Sequence, residues 1–214
     1  MGITTVPDVP KRIVILTNEG TEALLDLGIV PIAAVRSTVG EPQYPHIAVA
    51  MAGVDEVGSE DAPNLEVIAA LQPDLIIGIK ARHEAIYEQL SAMAPTVMSS
   101  VFDDQWLQNY QLYAKALGLE DKGRARVAAF EERIATLRRG LGDRVSDEIS
   151  LVRFRAGGRT SLRAPATFAG DILRRIGFAR PAVQAALTDS PEITKERIPE
   201  MDGDAIFYFT RRKR

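Results

Sequence analysis

Basic, amide and aromatic side chains recur directly after the apolar segments of this 214-residue chain. They are, in chain order, Asn18, Glu19, Arg36, Ser37, Lys80, Arg82, Trp106, Arg153, Arg155, Arg163, Tyr208, Thr210 and Arg211. Guanidinium groups form charge-assisted hydrogen bonds with anions, and aromatic rings stack on flat groups. These residue types together favour a flat, conjugated or anionic ligand. The alternative, for about half of the arginines, is ordinary solvated surface charge.

Motifs of the common enzyme classes are absent from the sequence. It contains no glycine-rich dinucleotide fingerprint, no P-loop, no G-x-S-x-G motif and no H-E-x-x-H motif. It contains no cysteine, which excludes disulfides, thiolate metal sites and thiol nucleophiles. The two histidines, His46 and His83, have no partner at metal-ligand spacing, so incidental histidines are favoured over a metal pair. We expect neither catalysis nor a metal or cofactor held by the protein itself.

Charge is distributed unevenly along the chain. Residues 1–142 contain 12 Lys and Arg against 19 Asp and Glu, whereas residues 143–214 contain 14 against 10. A basic region attracts anionic partners through its summed field. The second part of the chain therefore favours a negatively charged ligand.

Alternating strands and helices must position these side chains. Apolar runs predict strands at residues 13–16, 29–35, 74–79, 96–98, 149–154 and 205–209. Apolar residues three or four positions apart predict helices at residues 21–28, 64–71, 84–93, 103–117, 122–141 and 166–176. Parallel strands need crossover connections that are usually helical, so the alternation predicts an α/β fold with parallel sheets. Ligands of such sheets bind at the carboxyl ends of strands, where the candidate residues lie.

The long helix at residues 122–141 divides the pattern into two lobes. We predict an N-terminal α/β lobe at 1–115, a connecting segment at 116–142 and a C-terminal α/β lobe at 143–214. The apolar strand at 205–209 is predicted to be central in its sheet, yet the sequence ends soon after it. We therefore expect the second lobe to be incomplete at its C-terminus. No window reaches the ~20 apolar residues of a membrane span, and the first residues lack the layout of a signal peptide.

Several segments resemble a known family. They are residues 10–14 (PKRIV), 22–28 (EALLDLG) and 63–78 (PNLEVIAALQPDLIIG). These segments resemble the substrate-binding proteins of bacterial ABC importers for ferric siderophores, haem and cobalamin. Further matches, to the second lobe of the iron-siderophore branch, are residues 152–154, 170–173 and 177–181.

The resemblance implies two Rossmann-like lobes with parallel sheets, joined by one long helix and holding the ligand in a cleft between them. A rigid connecting helix limits closure of the lobes to a small motion. The resemblance also implies a monomer without catalytic activity that delivers its ligand to a membrane permease. Glu66 and Glu196 fall on the two carboxylates with which members of the family dock on permease arginines.

A ferric siderophore is the ligand that the resemblance implies, with the iron carried by the ligand and not by the protein. Arg153, Arg155 and Arg163 are expected to supply positive charge, and Trp106 and Tyr208 to pack on the ligand. The basic second lobe favours a ligand with negative charge. Alternatives are a haem-binding or cobalamin-binding protein of the same superfamily, or an α/β enzyme on a similar scaffold.

Members of the family are exported to the periplasm or anchored outside the membrane, often through a lipid-modified cysteine. This sequence shows neither an export signal nor a cysteine that could carry a lipid, so we expect it to represent a mature form located outside the cytoplasm. We expect no nucleic-acid partner, and membrane contact only through the permease or a lipid anchor. Members also continue beyond the strand that corresponds to residues 205–209.

Overall fold

A computed structural model of the protein describes residues 2–39, 42–100 and 105–210. The chain divides into two compact units, Met1–Arg126 and Val127–Arg214. This division lies inside residues 116–142, the segment predicted to connect the lobes. Arg211, predicted as a ligand contact, lies outside the described residues.

The first unit contains seven strands and five α-helices in its described residues. The strands are β1 Ile13–Ile15, β2 Ala33–Ala34, β3 Asp55–Glu56, β4 Gly58–Ser59, β5 Ala62–Pro63, β6 Leu75–Ile79 and β7 Thr96–Ser99. The helices are α1 Asn18–Asp26, α2 Leu65–Ala70, α3 Lys80–His83, α4 Tyr87–Met93 and α5 Trp106–Ala116. Five of the strands form an all-parallel sheet in the order β3-β2-β1-β6-β7, and β4 and β5 form a separate antiparallel pair. The predicted parallel α/β arrangement is therefore confirmed for this unit.

Both faces of the parallel sheet are covered. Ile13 and Ile15 of β1 pack in one apolar cluster with Leu24 of α1. Val14 of β1 packs in a second cluster with Ile68 of α2. Burial of each such side chain contributes roughly 1.5–3 kcal/mol to stability. Because side chains on both faces of the sheet are buried, every position along a strand is apolar, and the strands appear in the sequence as unbroken apolar runs.

Helix ends follow local hydrogen bonds that the apolar pattern does not contain. α1 begins earlier than predicted because the hydroxyl of Thr17 accepts the Gly20 N–H at 3.0 Å and caps the helix. α2 begins where predicted, with Asn64 Oδ1 accepting the Glu66 and Val67 N–H groups. The strands β3, β4 and β5 were missed because their residues do not form an apolar run in the sequence.

The second unit is built on the long helix α6, Glu120–Leu141, which begins in the first unit. Its further elements are β8 Ile149–Phe154, β9 Thr160–Leu162, α7 Phe168–Ile176, α8 Ala182–Ala185, β10 Glu192–Ile193 and β11 Ala205–Thr210. The sheet has the order β10-β9-β8-β11. The predicted α/β class with a long helix is thus confirmed.

One feature of the second sheet differs from the prediction. β8 pairs antiparallel with β9, because the short turn after β8 can join only antiparallel strands, so this sheet is mixed and not wholly parallel. β11 pairs in parallel with β8 and lies at the edge of the sheet formed by the described residues. Tyr208 on β11 is 65% exposed, and the central position predicted for this strand stays a prediction.

No helix in the described ranges combines the length and apolar character needed to cross a membrane.

Candidate functional site

Three parallel neighbours in the first sheet bring predicted site residues to one edge. β2, β1 and β6 are adjacent, and their carboxyl ends face the same way. Arg36 follows β2, Asn18 follows β1 and Lys80 follows β6. The structure therefore gathers these residues at the carboxyl edge of the sheet, as predicted.

Glu60 organises this edge. Its side chain is only about one-tenth exposed, and its Oε1 accepts the backbone N–H of Asn18 at 2.5 Å. Its other oxygen lies 3.6 Å from Arg82 Nε, and Arg82 also pairs with Asp61. Asn18 Nδ2 is buried and has no hydrogen-bond partner among the described residues. That amide is a buried donor to which no acceptor within residues 2–39, 42–100 and 105–210 is bonded.

Two other predicted cations at this edge form exposed ion pairs. Arg36 Nη1 lies 3.5 Å from Glu56, and Lys80 Nζ lies 3.6 Å from Glu84. Exposed pairs of this kind contribute about 0–1 kcal/mol, so an anion can compete with them at small cost.

The helix α5 carries Trp106 in its first turn and packs against α1. Asn109 Nδ2 of α5 donates to Glu19 Oε1 at 3.0 Å. Tyr113 is fully buried and donates to Ser99 Oγ at 3.1 Å, and burial raises the pKa of its phenol. These bonds fix the position of the half-buried Trp106 relative to β7 and α1.

The two histidines lie in contrasting environments and do not form a pair. His83 is 1% exposed, its Nδ1 accepts the Ile79 N–H at 3.0 Å, and its Nε2 lies 2.8 Å from the Glu60 carbonyl. Burial lowers the pKa of His83. His46 is exposed and lies 3.0 Å from Glu22. Sequence reasoning treated His83 as incidental, although its place after a buried strand could have marked it.

In the second unit, two predicted arginines share one aromatic ring. Arg153 on β8 is the register partner of Phe209 on β11, so both side chains leave the same face of the sheet. The guanidinium carbons of Arg153 and Arg163 lie 5.7 Å and 6.0 Å from the centre of the Phe209 ring. The result is a basic and aromatic surface, the residue combination predicted for an anionic ligand.

Tyr208 does not lie with these arginines. It is adjacent to Phe209 on β11, and its ring centre is 5.5 Å from that of Phe154 on the opposite face. Strand residues alternate between faces, so Tyr208 and Arg153 point in opposite directions. Phe209 was not among the predicted site residues. Once the pairing of β11 with β8 is known, the alternation of strand side chains places Phe209, and not Tyr208, on the face of Arg153.

Arg155 forms a separate ion-pair group. Its Nη1 lies 3.4 Å from Glu192, which also lies 3.2 Å from Arg159 Nη1. One carboxylate is thus shared between two guanidinium groups, which leaves positive charge in excess at this turn.

Both predicted docking carboxylates are exposed. Glu66 lies in the first turn of α2, and Glu196 lies in the 3₁₀ segment Lys195–Met201. Hydrogen bonds from the Thr194 hydroxyl and from its own backbone N–H lower the pKa of Glu196. Both carboxylates are therefore accessible from solvent.

The family model described as "Periplasmic binding protein" matches residues 13–214. The chain belongs to this family. It is 47% identical over 216 residues to a probable siderophore-binding lipoprotein of Bacillus subtilis, covering 96% of this chain. It is 31% identical to an Fe(3+)-citrate-binding protein of the same organism, again covering 96% of this chain. The chain spans 65% of the length of each of these curated relatives.

Comparison with solved structures identifies the fold. The structure resembles that of Staphylococcus aureus SirA complexed with staphyloferrin B, with a TM-score of 0.90 and 32% identity. The match covers 99% of this chain and 75% of SirA. The periplasmic-binding-protein fold, with a long helix between two α/β units, is therefore established for this chain.

Proposed function

We propose that this chain is the ligand-capturing part of a binding protein that receives a ferric siderophore outside the cytoplasm and delivers it to an ABC importer permease. The observation that carries the proposal is the surface on which Arg153 and Arg163 flank the Phe209 ring. Similarity to a probable siderophore-binding lipoprotein supports it. The role is binding and not catalysis, and the iron is cargo.

The chemistry of these residues favours an anionic ferric complex. Guanidinium groups pair with carboxylate or catecholate oxygens through charge-assisted hydrogen bonds, and they keep their charge at any physiological pH. In the first unit we assign ligand contacts to Arg82 and to the side-chain amide of Asn18, which has no hydrogen-bond partner in the part of the chain that the structure describes. In the second unit we assign them to Arg153, Arg155 and Arg163, with Phe209 replacing Tyr208 as the aromatic contact.

Iron complexes with carboxylate donors are the substrate class that we propose within the ferric siderophores. An Fe(3+)-citrate-binding protein is among the relatives, and citrate binds iron through carboxylate oxygens. Carboxylates match the planar fork of arginine better than neutral donors do. Glu66 and Glu196, exposed as docking requires, are assigned to contacts with permease arginines.

Fluorescence of the single tryptophan, Trp106, tests the proposal directly. The purified chain is titrated with ferric citrate, ferric carboxylate, catecholate and hydroxamate siderophores, haemin and cobalamin. We expect saturable quenching by an anionic ferric complex. Saturation by haemin or cobalamin alone, or by no compound, contradicts the proposal.

A triple Arg→Ala variant at positions 153, 155 and 163 sharpens this test. Loss of three charge-assisted contacts is expected to weaken the affinity at least about tenfold. The matched control replaces the exposed Arg124, Arg133 and Arg139 of α6, removing the same charge elsewhere. Equal affinity of the two triple variants would remove Arg153, Arg155 and Arg163 from the site.

A further inference from the structure

His83 joins three segments at the carboxyl edge of the first sheet. A backbone N–H can only donate, so the 3.0 Å contact from Ile79 N requires His83 Nδ1 to carry no proton. The ring is therefore neutral with its proton on Nε2, which donates to the Glu60 carbonyl at 2.8 Å. Both ring nitrogens are used, and each holds a backbone group that lies in a different segment.

Glu60, held in this way, reaches two proposed ligand contacts. Its carboxylate accepts the Asn18 N–H at 2.5 Å and lies 3.6 Å from Arg82 Nε. His83 thus connects the end of β6, the turn between β4 and β5, and the start of α1. A shift of this turn would move Asn18 and Arg82 together.

We propose that neutral His83 is a positioning residue that fixes Asn18 and Arg82 for ligand binding, so that acidification weakens the affinity for the ligand. This inference rests on the proposed function. Protonation would place a second N–H on the ring, facing the Ile79 N–H, and the two donors would have no acceptor between them. The turn would have to move away from the end of β6.

The charged groups around His83 have opposing effects on its protonation. Glu60 and Asp61, on the turn packed against the ring, favour the protonated form, whereas Arg82 on its own helix opposes it. Burial is the largest influence and lowers the pKa of His83. Lys80 and Glu84, on either side along the chain, form an ion pair with each other. The balance keeps the ring neutral near neutral pH.

Nuclear magnetic resonance of the ligand-free chain tests the positioning itself. With only two histidines in the sequence, the ring signals of His83 and His46 can be assigned by comparing His83→Gln and His46→Gln variants with wild type. We expect the Nε2–H tautomer for His83. On titration with acid, we expect the amide signals of Ile79 and Asn18 to shift with the same midpoint pH as the ring signals of His83. An Nδ1–H tautomer, or amide signals that ignore this midpoint, would overturn the proposal.

The affinity for the ferric complex identified by Trp106 quenching tests the consequence for binding. Each protein is titrated at about pH 7.5 and about pH 5.5. The affinity at about pH 7.5 is divided by the affinity at about pH 5.5, and this affinity ratio is compared between variants. Any acid sensitivity of the ligand is the same for all of them. Glutamine can accept the Ile79 N–H and donate to the Glu60 carbonyl without titrating.

We expect the affinity ratio of wild type and of His46→Gln to exceed that of His83→Gln by at least about threefold. Equal ratios for wild type and His83→Gln would refute the pH dependence, whereas equal ratios for wild type and His46→Gln support it. A wild-type chain that binds no ferric complex overturns the proposed function, and the resonance experiment still decides the role of His83.

Discussion

Asp26 accepts hydrogen bonds from two side chains that are distant in the sequence. Tyr110 donates its hydroxyl at 2.6 Å and Arg126 donates Nε at 3.0 Å. The contact with Arg126 lowers the pKa of Asp26, while burial and the nearby carboxylate raise the pKa of Tyr110. This single carboxylate therefore connects α1 with α5 and with the first turns of α6.

Asp26→Asn is expected to lower the melting temperature at neutral pH by ~2–4 °C, because the ion pair is lost while most of the shape is kept. The folded pKa of Asp26 is below its ordinary value of 3.8, so the unfolded chain takes up the proton first as the pH falls. The stabilisation is therefore present above pH 3.8 and is lost as the pH falls through the folded pKa.

Thermal unfolding between neutral and strongly acidic pH checks this expectation. Asp121→Asn is the matched control, because Asp121 is 92% exposed and pairs with its helix neighbour Arg124. Wild type and Asp26→Asn should converge at acidic pH. A difference between them that stays constant across the whole range would contradict the assignment to Asp26.

At the scale of elements, α7 is attached to α6 by a buried carboxylate. Asp171 of α7 is only 4% exposed and pairs with Arg174 and, at 2.6 Å, with Arg175 Nε. Arg175 Nη1 continues to Glu131 of α6 at 2.6 Å. The ion-pair network thus reaches from the buried carboxylate of α7 to the surface of α6.

Asp171→Asn is expected to destabilise the second unit by about 2 kcal/mol, because Arg174 and Arg175 lose their charge-assisted hydrogen bonds to the carboxylate. Glu132→Gln, which breaks an exposed pair with Arg139 on the same α6, should cost less than about 1 kcal/mol. Urea unfolding followed by circular dichroism measures both. Equal effects of the two variants would show that the Asp171 network contributes no more than a surface pair.

At the scale of the whole molecule, the two units have separate cores. Ile13 and Val14 belong to two clusters of the first unit, whereas Ile149 and Leu173 belong to the cluster of the second. The continuous backbone of α6 connects them. Units with their own cores can unfold as separate cooperative bodies.

Asp171→Asn is therefore expected to shift only part of the unfolding of the chain. Trp106 reports on the first unit, whereas circular dichroism reports on both. We expect the urea midpoint seen by Trp106 fluorescence to stay at its wild-type value while the circular dichroism curve broadens or divides. Equal shifts of both signals would mean that the units unfold as one body.

Local pattern was sufficient for much of the first unit. Unbroken apolar runs such as Leu75–Ile79 predicted strands buried on both faces, and Asn64 predicted the start of α2, because these signals involve neighbouring residues only. The rule that ligands bind at the carboxyl ends of strands then placed Asn18, Arg36 and Lys80 at one edge. The family resemblance, carried by short contiguous segments, was equally available from the sequence.

Strand order and register were decided by the tertiary structure alone. The contact of Glu60 with Asn18 and the contact of buried His83 with the Glu60 carbonyl both join segments that are distant in the chain. The placement of Phe209, and not Tyr208, beside Arg153 depends on the register of β11 against β8. A shift of one residue in that register would exchange the two rings, because strand side chains alternate between faces. Local periodicity contains no information about that choice, which comes from the packing of whole strands.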